Sequence, residues 1–189
     1  ITTVAEAGEA MALIHWTHQE LLDEVEQIVF PRLAVMLEVP SAVYQAEHLA
    51  RRVDFLSVGT NDLTQYLLAV DRNNARVAEL FDSLHPAVLR ALMQVVEGAH
   101  RHGRQVSVCG EMAGDPAAAV VLLGMGIDTL SMSASSLPRI KWVVRTFTKD
   151  HAGALLEEVL LMEDPINIRH RLEQALEEAG LGGLVRAGK

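Results

Sequence analysis

Two acidic residues, Glu38 and Asp62, each follow a short apolar run at a spacing that could bring both carboxylates to one metal ion. Glu38 comes directly after the run Ala34 to Leu37, and Asp62 lies three residues beyond Gly59, where the run from Phe55 ends. Neighbouring strands of a sheet are about 4.8 Å apart, so side chains at adjacent strand ends can reach the same ion. Mg²⁺ takes one or two protein carboxylates and fills the rest of its octahedron with water and substrate oxygens, which is what this pair allows. With Asn61, and with Cys109 at the end of a third run, they outline a Mg²⁺-dependent site on one rim. Each residue alone has a plainer alternative. Glu38 can be a solvated acid at a strand end, Asn61 and Asp62 can serve as turn or cap chemistry, and Cys109 can be a small buried hydrophobe.

The rim requires parallel strands, and the pattern supplies them. Apolar β-type runs at Leu33 to Leu37, Phe55 to Gly59, Val106 to Gly110 and Thr129 to Met132 alternate with helical segments, as in βα units. The runs lack a clean polar alternation, which predicts strands covered on both faces. Thr3 and Glu6 form a capping box ahead of a helix reaching about Val29. Pro86 opens a helix that Gly103 closes, Asp115 and Pro116 start an alanine-rich one ending at Gly124 to Gly126, and Ser136 precedes another that runs to Phe147. After Thr148 only helical pattern continues, near Asp150 to Met162 and Ile166 to Ala179, followed by a glycine-rich end. The division expected is residues 1–148 and a helical extension over 149–189. A complete (β/α)₈ barrel takes about 250 residues, so four units are half of one, and a small open α/β sheet fits the same pattern.

Composition narrows the partners. With 189 residues, half of them apolar, the chain can bury a sizeable core. A formal charge of -9 and the lack of a basic run argue against nucleic acid or an anionic membrane surface. A single cysteine excludes an internal disulfide and suits a cytoplasmic compartment. No apolar run approaches the roughly 20 residues that span a bilayer. The first residue is Ile1, so the chain is read as a piece of a longer one.

In parallel α/β folds the functional groups collect beyond the carboxyl ends of the strands. The stretch Asp54 to Arg72, DFLSVGTNDLTQYLLAVDR, lies at such an end. It resembles the signature of phosphoenolpyruvate-utilising enzymes, above all Enzyme I of bacterial phosphotransferase systems. EVPSA from Glu38, VCGEMAGD from Val108, LGMGID from Leu123 and LSMS from Leu130 are similar to further blocks of that family in the same order. YQAE from Tyr44, DRNN from Asp71 and SLHPAVL from Ser83 resemble most its nitrogen-related branch.

The resemblance implies the C-terminal part of a phosphoenolpyruvate-binding (β/α)₈ barrel, in which Glu38 and Asp62 ligate Mg²⁺. It also implies that Asn61 bonds substrate, Arg72 grips the phosphoryl group and Cys109 protonates the enolpyruvate carbon. The residue types suit these tasks: a guanidinium matches phosphate oxygens in pairs, and a thiol with an ordinary pKa of about 8.5 is protonated at neutral pH. Further implied are transfer of the phosphoryl group to a histidine on an upstream domain, delivery to a phosphocarrier protein of the HPr kind, release of pyruvate, and homodimers joined through the barrel. None of the eight histidines stands in the glycine-rich context in which this family phosphorylates one. His85, ahead of Pro86, is read as structural, and His100 and His102 as helix-end residues. Met93, Met125, Met132 and Trp142 are read as core. A phosphoenolpyruvate synthase or pyruvate phosphate dikinase barrel is the rival enzyme, and a module serving mainly dimerisation is the rival outside the enzymes.

Overall fold

The four apolar runs become four parallel strands, β1 (Ala34–Leu37), β2 (Phe55–Gly59), β3 (Gln105–Cys109) and β4 (Thr129–Ser131), paired in the order β1-β2-β3-β4. This is a computed structural model that describes residues 1–25 and 27–186. Leu37 pairs with Val58, Val58 with Val108 and Val108 with Leu130, so Gly59, Cys109 and Ser131 end neighbouring strands side by side. Strand order that follows chain order, with crossovers of one hand, gathers the helices on a single face. That arrangement is singly wound, the order in which consecutive βα units of a (β/α)₈ barrel follow one another, with further helices after the fourth strand.

Burial shows the same asymmetry. Val35, Leu37, Leu56, Val58, Val106 and Val108 are all at most 5% exposed and share one core with the apolar faces of α5 (Pro86–His100) and α6 (Pro116–Met125). Each such side chain contributes about 1.5–3 kcal/mol when fully buried. The alternate residues are not covered: Met36 is exposed, and Ser57, Ser107 and Cys109 are half-buried. Among the described residues, then, the strands are enclosed on one face and not on both. Among the described residues no second wall stands over this face, and the serines alternating with valines along β2 and β3 mark it.

The helix starts follow their caps. The α1 helix (Val4–Glu24) begins at Thr3, whose hydroxyl accepts from the Glu6 amide at 3.1 Å. It stops at Glu24 and not near Val29, because Val25 is already extended. Two short helices, α2 (Pro40–Tyr44) and α3 (Ala46–Ala50), lead from β1 to β2, and α4 (Thr60–Leu68) follows β2 without a linker. His85 caps α5, its Nδ1 accepting from the Ala87 amide, so it is structural as expected. His100 and His102 have a more specific explanation than the helix end: they lie 3.1 Å from Asp128 and 3.3 Å from Glu47.

The remaining helices are α7 (Leu137–Thr146), α8 (Lys149–Leu160), α9 (Pro165–Glu178) and α10 (Gly182–Arg186), the last formed within the glycine-rich end. Gly124 lets α6 approach α8, since a Cβ there would collide with the Ala152 carbonyl. The α9 helix buries Ile168, Leu172, Ala175 and Leu176 along one stripe. Trp142, expected in the core, is 58% exposed on α7, whereas Met125 is buried. No helix among the described residues is long and apolar enough to cross a membrane.

Candidate functional site

The junction of β2 and α4 forms the centre of the C-terminal rim. Because α4 begins directly at Thr60, Asn61 and Asp62 occupy its first turn, where the helix dipole favours a carboxylate. Glu38, half-buried, extends its side chain over Gly59. A Cβ on Gly59 would meet Glu38 Cγ at 2.8 Å, so the glycine makes room for the carboxylate.

Arg72 returns to the same turn. The chain leaves α4 through Ala69 in the left-handed region, φ 53°, and the Arg72 amide donates to Gln65 Oε1 at 3.3 Å. Its guanidinium then lies 3.2 Å from Asp62 Oδ1. The other terminal guanidinium nitrogen, Nη1, is enclosed and has no acceptor among the described residues.

Cys109 ends β3 beside Gly59 and presents its thiol on the uncovered face of the sheet. The sulfur donates to the Val58 carbonyl at 3.4 Å and stands 4.0 Å from Ser57 Oγ. Two bonds lock the strand end to α4: Thr60 Oγ1 donates to the Cys109 carbonyl at 2.8 Å, and the Glu111 amide donates to Asn61 Oδ1 at 3.2 Å. Both depend on Gly110, at φ +109°, where a Cβ would lie 2.6 Å from Thr60 Oγ1.

A cleft of about 630 Å³ opens here, with Asn61 and Cys109 in its lining beside Glu111, Ser133, Arg139 and Arg169. Glu38, Asp62 and Arg72 stand outside that lining. The rim thus gathers all five residues singled out in the sequence, but only two of them face the cleft. As a metal set, Glu38 directly after β1 and Asp62 in the first turn of α4 are two half-buried carboxylates, and among the described residues no group of three or more potential ligands exists. A pair of oxygen ligands that leaves most of the coordination sphere to water and substrate suits Mg²⁺ and not a closed structural site.

Arg169 was absent from the sequence reading. It rises from α9 into the cleft wall, its Nη1 donating to Asp115 Oδ2 at 2.9 Å. Burial alone would lower its affinity for a proton, but the bond and charge of Asp115, with the charges of Asp82 and Glu173, outweigh it and hold the group above the usual arginine range. The available sign was an arginine directly beside the apolar stripe of Ile168 and Leu172.

Residues 1–149 match the family described as PEP-utilising enzyme, PEP-binding domain. Among curated proteins, the chain is similar to one named "Phosphoenolpyruvate-dependent phosphotransferase system" from Salmonella typhimurium, 45% identical over 189 residues, all of this chain and 25% of that protein. A protein of the same name from Escherichia coli strain K12 is 46% identical over the same 189 residues, again 25% of its length. A "Phosphoenolpyruvate-protein phosphotransferase" from Haemophilus influenzae is 42% identical over 184 residues, 96% of this chain and 32% of that one. The chain therefore spans about a quarter to a third of the relatives it matches.

Proposed function

The chain belongs to the PEP-utilising enzyme family through its PEP-binding domain, and from that premise we propose that it forms part of a phosphoenolpyruvate-protein phosphotransferase of the nitrogen-related branch. Residues 1–148 are the C-terminal half of a phosphoenolpyruvate-binding barrel, and residues 149–189 are a helical extension of it. The observation that carries the reading is the Cys109 thiol on the uncovered face, in register with Gly59 and one loop from Asn61.

In this reading Glu38 and Asp62 hold Mg²⁺, which when bound offsets the negative charge of the phosphate oxygens. Asn61 orients the substrate through its amide. Arg72 places its planar guanidinium against phosphoryl oxygens, a task for which its Asp62 partner must let go. The P–O bond of phosphoenolpyruvate breaks as phosphorus moves to a histidine nitrogen on an upstream domain. The enolate left behind takes a proton from Cys109 at its methylene carbon and becomes pyruvate, and solvent then returns a proton to the thiolate. The phosphoryl group passes on to a phosphocarrier protein of the HPr kind. The enzyme is cytoplasmic and pairs as a homodimer through its barrel.

The deciding experiment incubates the full-length protein with Mg²⁺ and phosphoenolpyruvate labelled at phosphorus. Acid-labile label on the protein, lost when EDTA is present, is the expected result. Absence of label at any Mg²⁺ concentration overturns the reading.

A further inference from the structure

Arg169 joins two loops that flank the rim. Asp115 and Asp82 are each fixed already by one oxygen, Asp115 Oδ1 accepting from the Ala117 amide at 2.9 Å and Asp82 Oδ1 from the Leu84 amide at 2.8 Å. Arg169 then binds both: Nη1 donates to Asp115 Oδ2 at 2.9 Å, and Nη2 lies 3.9 Å from Asp82 Oδ1. A planar fork of donors can span two carboxylates in this way, whereas an ammonium presents a single point of charge. The three side chains are between 25% and 36% exposed, so solvent screens them only in part.

The position of these carboxylates gives the bridge its consequence. Asp115 closes the segment that starts at Cys109 and Gly110, and the same segment is tied at Glu111 to Asn61. Asp82 belongs to the turn leading into α5 and lines, with Asn61, Glu111 and Arg169, a second recess of about 270 Å³. The loop behind the cysteine is thus held from α4 on one side and from α9, in the helical tail, on the other.

We infer that Arg169 is a positioning residue of the rim: from the C-terminal tail it holds loop 110–115, and through it the Cys109 thiol and the Asn61 amide, in the arrangement that protonates the substrate. This rests on the function proposed above. The tail is then a part of the site and not only a cover for α6.

The test compares Arg169→Met, Arg169→Lys and Asp115→Asn with Arg171→Met in the full-length protein. Arg171 lies on the same helix but pairs with Glu158 of α8 at 2.7 Å, so it probes tail packing without touching the loop. Asp115→Asn keeps an oxygen for the cap and removes the charge, and it serves if Arg169→Met does not fold. Two quantities are read: kcat and KM for pyruvate formation, and the rate at which iodoacetamide modifies Cys109, followed by peptide mass spectrometry. A misplacement of about 1 Å can cost on the order of 100-fold in rate. Arg169→Met and Asp115→Asn should therefore lower kcat by roughly 10- to 100-fold with KM changed by less than about 3-fold, and should alter the alkylation rate at least about 3-fold. Arg169→Lys should recover part of both, and Arg171→Met should move neither, whatever it does to the melting temperature. Equal behaviour of the Arg169→Met and Arg171→Met proteins, or an unchanged kcat and alkylation rate in the former, overturns the inference. If the unmodified protein forms no pyruvate, the proposed function fails, while the alkylation contrast still decides whether Arg169 holds the loop.

Discussion

The Asp62 carboxylate and the Arg72 guanidinium lie 3.2 Å apart, so the group proposed to hold the metal and the group proposed to grip the phosphoryl form an ion pair with each other. Their side chains are 40% and 34% exposed, and pairs this open contribute about 0–1 kcal/mol. The contact is therefore weak enough to exchange for a ligand. Arg72 Nη1 has no acceptor among the described residues, and an enclosed donor left unmatched costs about 1–3 kcal/mol. Arg72→Met should accordingly leave the melting temperature within about 4 °C, the range that about 1 kcal/mol spans in a chain of this size. KM for phosphoenolpyruvate should rise roughly 10- to 100-fold, as loss of a hydrogen bond to a charged group worth about 1.5–3 kcal/mol requires. Steady-state kinetics beside a thermal melt checks both halves, and a wild-type KM removes Arg72 from the site.

Gly59 is an indirect handle on the metal. Its φ of -82° is ordinary, so alanine is permitted by the backbone, but the new Cβ would press on Glu38 Cγ at 2.8 Å. Glutamate can swing aside at a cost of about 1 kcal/mol in rotamer strain. Gly59→Ala should thus fold normally while requiring several-fold more Mg²⁺ for half-maximal activity, since its first effect is to displace one carboxylate. Mg²⁺ titration of turnover is the measurement, and an unshifted midpoint separates Glu38 from metal binding.

Gly110 combines two demands that no other residue meets. Its φ of +109° lies in the region that favours glycine, and a Cβ would meet Thr60 Oγ1 at 2.6 Å and Asn61 Oδ1 at 3.0 Å. Strained backbone of this kind costs about 1–3 kcal/mol for a residue with a side chain. Gly110→Ala should lower stability to denaturant by at least that amount and loosen the bonds from Thr60 and Glu111. Thr60→Ser, which retains the hydroxyl and loses one buried methyl, should cost only about 1 kcal/mol. Urea melts of the two proteins provide the comparison, and a stable Gly110→Ala protein means that the loop has another conformation.

What could be read from the sequence is what depends on local chemistry. Strands β1 to β4 appeared within a residue or so of their observed ends, the starts at Asp115 and Thr3 followed from capping side chains that do form their bonds, and the start at Pro86 followed from the proline itself. The barrel type came from the motif resemblance and not from the pattern of apolar runs, because strand order depends on pairings such as Val58 with Val108, which are distant in the chain. The open inner face was visible in Ser57 and Ser107 but was masked by the flanking valines and leucines. Arg169 could not be found by periodicity, since its partner Asp115 is 54 residues away and ion pairs impose no repeat. The rim residues were recognisable through motif resemblance, not through spacing, which alone left Glu38, Asp62 and Cys109 with plainer explanations.

Cys109 offers the sharpest division between chemistry and packing. Its sulfur has only a 3.4 Å contact with the Val58 carbonyl and a 4.0 Å approach to Ser57, on a face that is half-buried and bordered by the cleft. Removing so loosely held a thiol should change stability by less than about 1 kcal/mol, well below the 2–5 kcal/mol typical of truncating a large buried side chain. Loss of a general acid, by contrast, typically costs 10²–10⁴-fold in rate. Cys109→Ala should therefore fold with a near-native melting temperature, yet form pyruvate about 100- to 10,000-fold more slowly. Cys109→Ser should not rescue the rate, because a hydroxyl is a far weaker acid than a thiol. Single-turnover assays that follow phosphorylated protein and pyruvate separately would locate the defect: phosphoryl transfer that survives while pyruvate formation stalls assigns the proton to Cys109. Turnover at the wild-type rate by the alanine protein leaves the cysteine as packing at the end of β3.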